Sequence, residues 1–121
     1  AYQLSPPDIK KAFYWLEKSA ENNFLDAQSD IGAAYVKGDL VQEDIHKAIF
    51  WLEKASHRGH AGAQRTLSSL YQSGYGVKKD MGVAIFWIKK SAQGGDALSQ
   101  FVLGSIYHNG DGVPVDYEQD Y

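Results

Sequence analysis

The chain has no cysteine among its 121 residues, which rules out a disulfide framework, a thiolate nucleophile and any metal site built on thiolates. It also lacks a surplus of lysine and arginine: 12 basic residues stand against 15 acidic ones, for a net charge of -3. A nucleic-acid surface needs positive charge to displace counterions from phosphates, so no nucleic-acid partner is expected. No apolar run approaches the roughly 20 residues that span a bilayer, so no membrane insertion is expected either. The opening stretch AYQLSPPD has neither the charged nor the apolar region of a secretory signal. What is present, 44% hydrophobic and 22% charged residues, suffices for one modest globular domain.

That domain is repetitive. DIKKAFYWLEKSA at residue 8 returns as DIHKAIFWLEKAS at residue 44 and as DMGVAIFWIKKSA at residue 80. A shift of 36 aligns Asp8, Asp44, Asp80 and Asp116, then the columns of Ala12, Trp15, Lys18, Gln28, Tyr35, Gly38 and Val41 with their counterparts, without a gap. The period divides the chain into residues 1–7 (the end of a preceding repeat or a linker), three repeats at 8–43, 44–79 and 80–115, and the start of a truncated fourth at 116–121. The ends read as cut from a longer array: Ala1-Tyr2 closes a preceding helix, and DYEQDY opens another.

Within a unit, apolar residues at 9, 12, 13, 16 and 20 fall on one face of a helix, helix A. The preceding aspartate is placed to cap it, accepting from orphaned backbone N–H groups at the positive end of the helix dipole. A break at Asn22-Asn23, Arg58-Gly59 and Gly94-Gly95 precedes a second apolar series, Ala27, Ile31, Ala34 and Tyr35, which is helix B. Gly38, Gly74 and Gly110 should end it in the left-handed conformation. Two helices in 36 residues cannot bury their apolar faces alone, so the pairs must stack on one another as an α-solenoid. Trp15, Trp51 and Trp87 lie about 60° around helix A from the alanines, a direction that predicts packing at the border with the adjacent repeat. Ala12, Ala48 and Ala84 should allow close helix approach.

The ordered motifs K-A-x-x-W-x-x-K, A-Q-x-x-[IL]-G-x-x-Y and G-x-G-V-x-x-D resemble the Sel-one-like repeat, a branch of the tetratricopeptide-like solenoids, across residues 8 to 116. In the first unit Lys11-Ala12, Trp15, Lys18, Ala27-Gln28, Ile31-Gly32, Tyr35, Gly38 and Val41 carry it; Leu40, Ser68 and Val83 depart from it. The resemblance implies an all-α, right-handed α/α solenoid and a scaffold or adaptor that holds partner proteins, with such repeats frequent in bacteria.

Reactive constellations are not apparent. Gly74-Tyr75-Gly76 and Gly110-Asp111-Gly112 lack the strand and third glycine of a dinucleotide loop, and repeat turns account for them. Asn109, Asp111 and Asp116 miss the offsets of a calcium loop. His57 and His60 lack the spacing of a metalloprotease helix. No catalytic residue, metal or cofactor is therefore expected. The alternatives to a scaffold are a cell-wall or β-lactam enzyme, set against by the absence of the cysteine richness of such relatives, and a self-assembling spacer joined head to tail through its ends.

The face of helix A opposite the core carries Lys10, Tyr14, Glu17 and Glu21, then His46, Phe50, Glu53 and His57, then Gly82, Phe86, Lys89 and Gln93. By resemblance helix A lines the concave side, so Lys10, Tyr14, Glu17, His46, Phe50, Glu53, Phe86 and Lys89 form the candidate groove for a partner protein or peptide. Tyr14, Phe50 and Phe86 are its aromatic ladder, or else pack between adjacent A helices. Charge is uneven: the second repeat has six bases against two acids, the first four against seven. Either that is ordinary solvated charge or an acidic partner is steered to the centre.

Overall fold

Three aspartates set the frame. Asp8, Asp44 and Asp80 each accept a hydrogen bond at 3.1 Å from the backbone N–H three residues on, at Lys11, Lys47 and Val83. Each thereby starts a helix A: α1 (Ile9–Glu21), α3 (Ile45–His57) and α5 (Met81–Gln93). The computed structural model describes residues 8–110. The expected remnants at 1–7 and 116–121, and Asp111 and Asp116 of the acidic loop, lie outside the described residues.

The B helices are α2 (Leu25–Lys37), α4 (Ala61–Ser73) and α6 (Ala97–Asn109). Gly38, Gly74 and Gly110 end them at φ values of 70°, 74° and 70°, the left-handed closure expected of a residue without Cβ. Among the described residues there are six helices and no strand, stacked as an all-α solenoid of repeats.

The first two B helices pack most extensively on the A helix that follows, α2 on α3 and α4 on α5. One glycine makes the first of these contacts possible. A Cβ at Gly32 would lie 2.6 Å from Leu52 Cγ, so the glycine leaves the room in which Leu52 of α3 seats against α2. In the second repeat Ser68 takes that position, and its hydroxyl turns the same proximity into a 2.7 Å hydrogen bond to the Ala84 carbonyl. The glutamine column ties B back to A within a repeat. The Nε2 groups of Gln28, Gln64 and Gln100 donate to the carbonyls of Ala20, Ser56 and Ala92 at 3.3, 2.9 and 3.1 Å.

The core divides in two. The larger part runs from Ala20 through Ile31, Leu52, Ala63 and Leu67 to Trp87; the smaller gathers Ile85, Ile88 and Ile106. The tryptophan column departs from the uniform packing expected of it. Trp87 is 6% exposed, Trp51 is half-buried and Trp15 is 66% exposed. Trp87 leans on the repeat before its own, where it meets the His57 ring, and for Trp15 no preceding helix pair lies among the described residues. Ala12 is exposed for the same reason, whereas Ala48 and Ala84 are fully buried.

Candidate functional site

Thirty-six residues are one repeat of the array, so a side chain that recurs at that interval forms a row. Tyr14, Phe50 and Phe86 form one, and they are 49%, 54% and 50% exposed. The choice between a ladder facing solvent and rings packed between repeats thus falls to the first. Each ring stands edge-on to the tryptophan that follows it, with centroids 4.9, 5.2 and 4.9 Å apart. A lysine four residues on, Lys18, Lys54 or Lys90, lies over each ring at 5.4, 5.4 and 5.6 Å. The i, i+4 spacing brings the ammonium onto the same helix face, where the negative face of the ring attracts it.

The sequence marked those lysines as a repeat column without linking them to the aromatics. The signal was present in the spacing: an aromatic followed four residues later by lysine, three times over. The row therefore presents an aromatic ring and a positive charge in each repeat, a chemistry suited to apolar side chains flanked by carboxylates.

The other expected groove residues separate into two sets. Lys10 and His46 are exposed on the same helices as the ladder. Glu17, Glu53 and Lys89 are half-buried and lean toward the tyrosines of helix B. Lys89 Nζ lies 5.8 Å from the centre of the Tyr107 ring. Burial first, and then the carboxylates of Glu17 and Asp44, push the Tyr35 phenol above its ordinary value. Burial, Glu53 and Asp80 do the same for Tyr71. At neutral pH these phenols stay protonated. Among the described residues no group of three or more histidines, aspartates and glutamates gathers where it could hold a metal ion, and no helix is long and apolar enough to cross a membrane.

The comparisons with known proteins agree with the repeat architecture. The family model described as Sel1 repeat matches residues 2–24, 25–60, 61–96 and 97–119, cutting the same period at the start of helix B. A Sel1 repeat protein from Oxalobacter formigenes is 37% identical, with a TM-score of 0.82, over 90% of this chain and 44% of its own. The protein c5321 of uropathogenic Escherichia coli, described as a protective antigen displaying an SLR fold, is 34% identical with a TM-score of 0.86, over 91% of this chain and 24% of its own. Cysteine-rich protein B of Helicobacter pylori is 25% identical with a TM-score of 0.74, over 80% of this chain and 73% of its own. The comparison with curated proteins finds no match. The chain thus spans less than half the length of the first two solved relatives.

Proposed function

The chain belongs to the Sel1 repeat family, whose members generally serve as protein-interaction modules, and from that premise we propose that it binds a partner protein or peptide along the exposed face of its A helices. The observation that carries this is the solvent-facing row of Tyr14, Phe50 and Phe86, each beneath a lysine. Half-exposed aromatics are costly to leave in water and gain most from a partner that covers them. Lys10 and His46 supply a polar margin, and Glu17, Glu53 and Lys89 set the border toward helix B. The role is binding without catalysis.

The test is affinity capture with the native chain and with a variant carrying both Phe50→Ala and Phe86→Ala. The variant should keep its melting temperature within a few degrees, because both rings are half exposed, and should lose the captured partner. Equal capture by both forms would move the binding surface elsewhere.

A second reading is head-to-tail self-association. Among the described residues nothing lies within 4 Å of a Cβ placed on Gly104 of α6, whereas the same position in the first repeat, Gly32, lies under Leu52. Phe101 beside it is 72% exposed, and on α1 Trp15 is 66% exposed. An A helix from a second copy would complete both faces in the manner of α2 on α3. Light scattering should then give a mass that rises with concentration, and a constant monomeric mass would remove this reading.

A further inference from the structure

Arg58 closes the border between the first and second repeats. Its Nη1 donates to the Asn23 carbonyl at 2.6 Å and to Gln28 Oε1 at 3.1 Å. One period later the three positions are Gly94, Gly59 and Gln64. The backbone repeats faithfully: Asn23 and Gly59 both have positive φ, at 69° and 89°, and Gln64 holds the last turn of its helix A as Gln28 does. What does not repeat is the side chain. Gly94 has none, and a cavity of about 320 Å³ opens between the second and third repeats, lined by Gly59, Gln64, Trp87, Lys90 and Gly94 among others.

The cavity holds acceptors that no donor among the described residues reaches. Among the described residues neither the Gly59 carbonyl nor Gln64 Oε1 takes a hydrogen bond, although their counterparts one repeat earlier share a guanidinium. Ser56, 2% exposed, stands in the cavity wall, and its buried hydroxyl has no partner among the described residues; the first and third repeats have alanine there, Ala20 and Ala92.

We infer that this cavity is a guanidinium site, which receives the arginine side chain of a partner segment into the place that Arg58 fills one repeat earlier. A planar guanidinium offers several donors in a fixed fork and can reach two acceptors at once, whereas a lysine ammonium is a compact point charge without that shape. Phe86 and Trp87 supply apolar surface for the stem of the side chain. Positive charge at the rim does not forbid the fit. Lys90 stands four residues before Gly94 as Lys54 stands four before Arg58, and each lysine lies over the ring of its own ladder. Lys90 and the exposed His57 instead favour a carboxylate next to the incoming arginine.

The proposal deepens the groove reading and shares Phe86 with it, but it is tested separately, with a free peptide. The probe is acetyl-Asp-Arg-amide, titrated against the protein and followed by amide NMR, beside its lysine and citrulline analogues. The Gly59 and Gly94 amides and the Gln64 side-chain amide should shift saturably, with the analogues about tenfold weaker. Gly94 lies at φ -77° and a Cβ there meets only ordinary 3.5 Å contacts, so Gly94→Arg is sterically permitted. It should fill the cavity from within, raise the melting temperature and abolish peptide binding. Arg58→Gly should do the reverse, lowering the melting temperature and opening a second site, so that the stoichiometry rises from one to two. Equal binding of the three peptides, no saturable shift, or undiminished binding to the Gly94→Arg protein would each overturn the assignment. Because Phe50 lies outside the cavity, loss of partner capture through Phe50 alone would concern the groove and not this site.

Discussion

Trp87→Ala is expected to destabilise the protein by about 3–5 kcal/mol, the range for deleting a large buried aromatic, while Trp15→Ala should cost no more than about 0.5 kcal/mol. The two residues occupy one column of the repeat, yet Trp87 is 6% exposed and Trp15 66%. Trp87 belongs to the larger core and meets the His57 ring edge-on at 5.1 Å, so its removal leaves a void between the second and third repeats. Trp15 has little to leave behind. Urea denaturation of the two variants, with Trp51→Ala between them, should give losses ordered as the burial is ordered. Equal losses at Trp15 and Trp87 would mean that the indole acts within its own repeat and not on the one before.

The second large effect lies at the contact of Gly32 and Leu52. Leu52 is 1% exposed, and Leu52→Ala should cost about 2–5 kcal/mol through lost burial and the cavity left behind. Gly32→Ala should also destabilise, by about 1–3 kcal/mol, because its methyl would meet Leu52 Cγ at 2.6 Å and α3 cannot withdraw without loosening the interface. The informative measurement is the double variant. With Leu52 shortened, the methyl at position 32 enters space just vacated, so the combined loss should fall below the sum of the single losses by more than about 0.5 kcal/mol. Strict additivity would show that the two residues do not share the contact.

These two cases also mark how far the sequence could be read. The aspartate caps, the glycine closures and the two helix faces were legible because each depends on residues within four or five positions along the chain. Asp44 reaches only to Lys47, and Gly74 closes a helix by its own φ. The solenoid followed from the same local rules applied three times. The gradient from Trp15 to Trp87 was not legible, since the same residue in closely similar local sequence differs chiefly in what stands beside it. The lean of Glu17, Glu53 and Lys89 toward the tyrosines required the angle between helices A and B. The gap at Gly94 became visible only when Arg58 was seen to fill the matching place one repeat earlier. A repeat protein is least predictable where its repeats differ from one another.

The division of the core has its own consequence for how the molecule opens. One helix, α5, belongs to both parts: Trp87 faces back into the larger and Ile85 and Ile88 face forward into the smaller. Detachment of α6 would expose Ile106 and its neighbours and leave the larger cluster intact, whereas detachment of α5 would dismantle both. The protein should therefore loosen in steps and not as a single unit, with the amide hydrogens of α6 exchanging ahead of those of α5, and those of α3 and α4 persisting longest.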